Sequence, residues 1–285
     1  MRSVVLAMLV ILLASAMPAL AMAQSPGCAT LGPDARALAT KIMDTQLSYG
    51  CCTDTISRCL AEKKTCAVSQ RLAENICHRV SKGETEEKII RRLTGRAKSM
   101  NPGAAKAVID LSKFDLAGSA TAPVTVVVYA CARCPFCARL VLQLHASVTT
   151  GKLKNKVALA VKPYPIKSHA LGKEGGLALV AAQQMGNYWP LLLKMYSEYT
   201  LFSLEKIQHW SAGLGMDSLR FNKVMNDPST TAILVDSKKE GLINGVDSTP
   251  TIFINGRRWW GFLDIHELED ALGEEYSRLG ASSPK

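Results

Sequence analysis

The chain has 285 residues, 48% of them hydrophobic and 20% charged, and a formal net charge of +10. That balance excludes general disorder and is enough for one large core or two modest ones. Lys and Arg are scattered over both halves rather than clustered, so the charge reads as solvated faces and argues against a nucleic-acid partner.

Met1-Arg2, the apolar run Val4 to Leu13 and the small-residue stretch Ala19-Leu20-Ala21-Met22-Ala23 form the pattern of a secretory signal peptide over residues 1–23, cleaved after Ala21 or Ala23. The apolar run is shorter than the ~20 residues that a membrane span needs. An exported chain, periplasmic or secreted, meets oxidants, so its nine cysteines are read first as disulfide formers.

Residues 24–100 read as a small all-α, cysteine-rich domain. After Pro33, Asp34 is the expected N-cap of a helix carrying Leu38, Ile42 and Leu47, with Gly50 closing it. Cys51, Cys52, Cys59, Cys66 and Cys77 then fall within a helical hairpin whose turn is Glu62-Lys63-Lys64-Thr65. Two cysteines seven apart on one helix stand about 10.5 Å apart at 1.5 Å per residue, beyond the ~7 Å Cα reach of a disulfide. On that argument bridges cross between helices. Cys59–Cys66 is the first choice, Cys77 pairs with Cys51 or Cys52, and Cys28 takes the one left over. A zinc site and a second redox centre feeding Cys134 are the alternative uses of these thiols.

Gly83 ends the hairpin, and Thr85 caps a helix with Glu86 and Glu87 in its first turn and Ile89, Ile90 and Leu93 as its stripe. The segment Lys82-Gly83-Glu84-Thr85-Glu86-Glu87-Lys88-Ile89-Ile90, behind a cysteine-bearing helical pair, resembles the helical CcmH domain of cytochrome c maturation. Gly50-Cys51-Cys52 stands in place of that family's Leu-Arg-Cys-x-x-Cys. The domain is otherwise a candidate for homodimerisation or client docking. Asn101-Pro102-Gly103 marks a linker at 101–106, leaving 107–285 as the second domain.

There the run Val124-Thr125-Val126-Val127-Val128-Tyr129-Ala130 reads as a strand leading into Cys134-Pro135-Phe136-Cys137. Leu140, Val141, Leu144 and Val148 then recur at helical spacing, and Pro135 sits in the first turn, where its missing N–H costs nothing. A Cys-x-x-Cys at a helix start places the first sulfur, expected to be exposed and beside Arg133, where backbone N–H groups and the dipole favour a thiolate. Val157 to Val161, bounded by Lys156 and Lys162, is the next strand, covered on both faces. Residues 169–243 are helical in pattern, with Ser203 and Asp217 as caps. Thr251-Ile252-Phe253-Ile254, Asn255-Gly256 and Arg257-Arg258-Trp259-Trp260 form a β-hairpin, and Asp264 with Glu267 opens a last helix.

Ala122-Pro123-Val124-Thr125-Val126 before Cys134-Pro135-Phe136-Cys137, then Gly245-Val246-Asp247-Ser248-Thr249-Pro250-Thr251-Ile252-Phe253-Ile254-Asn255-Gly256, resemble the DsbA-like thioredoxin-fold disulfide oxidoreductases over roughly residues 107–275. The resemblance implies an α/β thioredoxin fold with a helical insertion. It also implies a cis proline at Pro250 facing the active-site pair, and Thr249 offering backbone hydrogen bonds to an extended client. Cys134 is then the nucleophile and Cys137 the resolving thiol, with no cofactor and no metal. Partners would be cysteine-bearing protein clients and a membrane or soluble redox partner.

Two departures stand out. Val128 occupies the position where that family often carries a buried acid, and Phe136 replaces a histidine that could donate a hydrogen bond, so a weaker oxidant than the His-containing members is expected. Cys131 makes a second, overlapping Cys-x-x-Cys with Cys134. It is either a buried strand-end thiol or an auxiliary thiol that traps or resolves an intermediate; an iron–sulfur site lacks a fourth ligand. His169 reads as a packing or capping residue ahead of a proton shuttle. Of the adjacent Trp259 and Trp260, one ring has to face away from the core. His78, His145, His209 and His266 show no metal spacing. The rival readings are a reductase or isomerase serving cytochrome c maturation and, from another class, a redox-inert chaperone or adaptor.

Overall fold

The computed structural model describes residues 26–62 and 66–281. The expected signal peptide, and Lys63, Lys64 and Thr65 of the expected turn, lie outside those residues. The chain divides into two compact units after Ala97.

The first unit contains α1 (Pro26–Ala29), α2 (Pro33–Thr45), α3 (Ile56–Ala61) and α4 (Ala67–Ser81), and α5 (Glu86–Met100) carries the division point. Pro33 takes the first position of α2 and Gly32 is its extended N-cap, so Asp34 lies in the first turn instead of capping. The helix stops at Thr45, which leaves Leu47 exposed, bridged to Thr55, and outside the apolar stripe. Ala39, Ile42 and Met43 form the buried face, packed with Ile56, Leu60, Leu72 and Ile76. Thr55 caps α3 by accepting from the Arg58 N–H.

The disulfides are Cys28–Cys77, Cys51–Cys66 and Cys52–Cys59, with Cα separations of 5.1, 5.5 and 5.9 Å. This corrects the expected Cys59–Cys66 pairing and the assignment of Cys77 to Cys51 or Cys52. The helical-spacing argument fails because Cys52 precedes α3, on the non-helical stretch that leaves α2, and can fold back onto Cys59. With all six sulfurs bonded to sulfur, none is left as a thiolate for zinc.

The second unit is built on a five-stranded sheet in the order β1-β3-β2-β4-β5. The strands are β1 (Ala117–Gly118), β2 (Val124–Ala130), β3 (Val157–Pro163), β4 (Thr251–Ile254) and β5 (Arg257–Arg258). β2 and β3 run parallel, joined through α6 (Pro135–Thr149), whereas β4 is antiparallel to β2 and β1 antiparallel to β3. All of β3 is buried, which explains its unbroken apolar run. Lys162 lies inside the strand rather than bounding it. Its ammonium is neutralised by Glu240 at 2.7 Å and donates to the Asp110 carbonyl at 2.5 Å.

The insertion is α7 (Gly172–Gln184), α8 (Tyr188–Ser197), a 3-10 turn (Tyr199–Leu201), α9 (Leu204–Gly213), α10 (Ser218–Met225) and α11 (Pro228–Ile243). Ser203 and Asp217 cap α9 and α10 by accepting from the N–H groups of Lys206 and Arg220. Asn255 and Gly256, at φ 45° and 80°, make the type I′ turn that suits the twist of β4 and β5. A Cβ on Gly256 would meet the Ala107 carbonyl at 2.9 Å. Asp264 accepts from the Glu267 N–H to start α12 (Ile265–Ala281). The buried Arg257–Glu275 pair, 2.5 Å apart, ties the hairpin to that helix.

Candidate active site

β2 delivers the chain to Cys131, and a turn through Ala132 and Arg133 is closed by the Cys134 N–H on the Cys131 carbonyl at 3.1 Å. Cys134 is the extended N-cap of α6, Pro135 takes the first turn, and Cys137 lies one turn in, fully buried. The register Tyr129↔Thr251 sets Pro250 opposite Ala130, the last residue of β2, and Thr249 opposite Cys131, where the turn begins. The Thr249–Pro250 peptide is cis, as the resemblance implies. Cys131, Cys134 and Cys137 are all free thiols.

Cys134 is only 2% exposed, less open than expected for a sulfur at a helix start, because the cis-proline loop lies against it: the Thr249 carbonyl oxygen is 3.3 Å from its Sγ and accepts from it when the sulfur is protonated. A hydrogen bond from the Cys137 thiol is the strongest influence on Cys134. With the Cys137 and Phe136 N–H groups and the Thr249 hydroxyl, it outweighs burial and lowers the thiol to about 5. Burial, then the neighbouring Cys134 sulfur, pushes Cys137 far up. One sulfur is thus held as a thiolate and its neighbour as a thiol. The Thr249 Oγ1 is buried and has no conventional hydrogen-bond partner, so the two sulfurs are its available acceptors.

Arg133, expected beside the nucleophile, is instead drawn to the insertion. Its guanidinium donates to the Tyr199 carbonyl at 3.0 Å and lies over the Tyr199 and Phe202 rings. The Tyr199 hydroxyl returns a bond to the Arg133 carbonyl at 3.0 Å, and the buried Tyr196 hydroxyl donates to the Cys131 carbonyl at 3.2 Å. These tyrosines pin the turn that forms the first of the two overlapping Cys-x-x-Cys spacings. Sequence reasoning missed them, since nothing local links residues 196–199 to the motif. Tyr199→Phe should cost about 1 kcal/mol of stability in urea unfolding, the usual worth of one such bond; an unchanged midpoint would remove the pinning role.

His169 is placed with its Nδ1 3.4 Å from the Cys131 Sγ. Val128 is buried and apolar as the strand pattern requires. The acid that reaches this part of the sheet comes instead from α11, where the half-buried Glu240 accepts from Lys162 and from the Tyr129 hydroxyl. Tyr129 faces away from Val128 by strand alternation. Phe136 and Trp260 remain exposed, at 56% and 45%, while Trp259 is buried.

Among solved structures the chain is similar to a thioredoxin-like oxidoreductase from Silicibacter pomeroyi DSS-3, with 21% identity and a TM-score of 0.51 over 58% of this chain and 94% of that one. It is also similar to BdbD from Bacillus subtilis, with 14% identity and a TM-score of 0.53 over 61% of this chain and 98% of that one. Both share the fold. Curated relatives include the Na(+)/H(+) antiporter NhaA of Herminiimonas arsenicoxydans, 27% identical over 167 residues, or 57% of this chain and 25% of that protein. The chain spans about a quarter of the length of the curated relatives it matches. The likeness of the cysteine-rich unit to CcmH rests on its sequence alone. The family model described as Thioredoxin matches residues 115–274, more than half of the chain and all of the sheet and its insertion, and the chain belongs to the thioredoxin family.

Proposed function

We propose that this protein is an exported thiol–disulfide oxidoreductase that exchanges disulfides with protein clients through Cys134-Pro135-Phe136-Cys137. The observation that carries the reading is the opposed pair of sulfurs, one held as thiolate at a helix N-terminus and one as buried thiol a turn later, beside the cis Thr249–Pro250 peptide.

In the reducing direction the Cys134 thiolate attacks a client disulfide, the client's first sulfur leaves as thiolate, and a mixed disulfide forms. Cys137 then attacks Cys134 as it loses its proton, releasing the second client sulfur and closing Cys134–Cys137. The oxidising direction is the reverse. Thr249 and Pro250 border the groove in which an extended client would lie, main chain against main chain. Three disulfides in the first unit support an oxidising compartment, periplasmic or extracellular, and a separate membrane or soluble partner would reload the pair. The cysteine-rich unit would serve homodimerisation or client docking.

The stabilised thiolate favours the reduced form and so the oxidising direction, while the Phe136 side chain adds no hydrogen bond to that of its backbone N–H. A dithiol–disulfide exchange assay on the wild type and Cys134→Ala tests the reading. The wild type should turn over and the variant should not. Equal turnover would overturn it, and no activity in either would leave the redox-inert adaptor.

A further inference from the structure

The third thiol has surroundings that a filler of the core would not need. The Cys131 sulfur sits 3.4 Å from His169 Nδ1 and within reach of the Ile166 and Arg133 N–H groups. A Cβ on Gly172 would stand 3.1 Å from it, so the glycine leaves the sulfur its space. The imidazole is half-buried and borders a cavity of about 560 Å³ lined also by Gly172, Leu234 and Lys238, which opens to solvent. The turn also brings Cys131 close to the nucleophile. The first and fourth residues of a turn have Cα atoms within about 7 Å, close to the ~4.4–6.8 Å that a disulfide spans, and Cys131 and Cys134 hold those two positions. The Tyr196 hydroxyl, near all three sulfurs, fixes that turn.

We propose that Cys131 is a second resolving thiol for the intermediate on Cys134, with His169 as the base that takes its proton. This rests on the exchange reading above and gives Cys134 two alternative partners, three residues before it and three after. In the step, Cys131 passes its proton to His169 Nδ1 and its sulfur attacks the Cys134 sulfur of the mixed disulfide. The Cys131–Cys134 bond forms, the Cys134–client bond breaks, and the client leaves as a thiolate that water protonates. His169 returns the proton to solvent through the cavity. Cys137 can then attack Cys134, forming Cys134–Cys137 and restoring Cys131 as a thiol. No outside oxidant is needed, because the client sulfur is the one reduced.

The test uses the chain with Cys131, Cys134 and Cys137 reduced and the three disulfides of the first unit intact, and oxidised glutathione, followed by intact mass and peptide mapping. Cys137→Ala should take up one glutathione on Cys134 and then lose it, leaving a Cys131–Cys134 disulfide. Cys131→Ala/Cys137→Ala, and Cys131→Ser/Cys137→Ala as a second version against a packing defect, should keep the adduct. Adding His169→Phe to Cys137→Ala should slow the loss about 100-fold, the usual scale of a general base. An adduct as durable in Cys137→Ala as in the double variants overturns the proposal while sparing the exchange reading. An unchanged rate with His169→Phe removes the base. If Cys134 takes up no glutathione in any variant, the exchange reading falls and this one falls with it.

Discussion

Alkylation of the reduced protein by iodoacetamide should reach half its maximal rate at Cys134 near pH 5, where an ordinary thiol would reach it near 9. The midpoint, rather than the rate at neutral pH, is the quantity to measure. At pH 7 the thiolate fraction is about 100-fold above that of an ordinary cysteine, but lower basicity costs intrinsic nucleophilicity on a similar scale. The gain lies in the leaving step and in the equilibrium. A sulfur that is stable as a thiolate departs quickly from a mixed disulfide, and it stabilises the dithiol against the disulfide. The sign follows from the direction of the shift. A lowered thiol contributes nothing to the reduced form below about pH 5, an increasing amount between there and the ordinary value, and a constant amount above it. At pH 7 this is about two pH units, or ~60 mV toward an oxidising potential.

The Thr249 hydroxyl offers a way to divide that stabilisation. Thr249→Val keeps the shape and the carbonyl that faces Cys134 but removes one donor to the thiolate. The midpoint should rise by about one unit, since a hydrogen bond to a charged group is worth ~1.5 kcal/mol. A wild-type midpoint near 9 would remove the electrostatic basis of the proposed chemistry. An unchanged midpoint in Thr249→Val would assign the effect to Cys137 and the helix N–H groups alone.

What was legible in the sequence was local. β2, the Cys-x-x-Cys helix start with Pro135 in its first turn, and the Asn255-Gly256 hairpin are each written within about ten residues, where periodicity and turn chemistry act. The buried–exposed split of Trp259 and Trp260 follows in the same way from alternation. The misses are contacts between distant residues. His169 meets Cys131 across 38 positions, Glu240 meets Lys162 across 78, and Tyr199 meets Arg133 across 66. Lys162 looked like the end of a strand because a lysine is rarely buried without a partner, and its partner lies on a helix of the insertion. The cysteine pairing failed on one boundary. Extending α2 to Gly50 and α3 back over Cys52 makes a Cys52–Cys59 bridge impossible, whereas ending α2 at Thr45 makes it easy.

That pairing carries the largest stability effect in the first unit. Replacing both ends of the Cys28–Cys77 bridge, as Cys28→Ser/Cys77→Ser, should cost about 4 kcal/mol, because a bridge stabilises mainly by shortening the unfolded chain and this one closes the longest loop. The three bridges span 49, 15 and 7 positions. On loop entropy the order of loss is therefore Cys28–Cys77, then Cys51–Cys66 at about 3 kcal/mol, then Cys52–Cys59 at about 2. Burial reinforces the first place. Cys28 and Cys77 are 1% and 0% exposed within the same apolar core as Ile42, Ile56 and Ile76, so two serines there also lose packing and bring hydroxyls into it. The measurement is hydrogen exchange on the α4 amides of the full chain, Ala67–Ser81, which pack directly against α1 and α2. Protection should fall by up to about three decades in the Cys28/Cys77 variant, at 1.4 kcal/mol per decade, and by less in the other two. Equal losses from all three would show that local strain or packing, rather than chain entropy, sets the stability of the unit. No loss from the first would show that this core holds α1 against α4 without a covalent link.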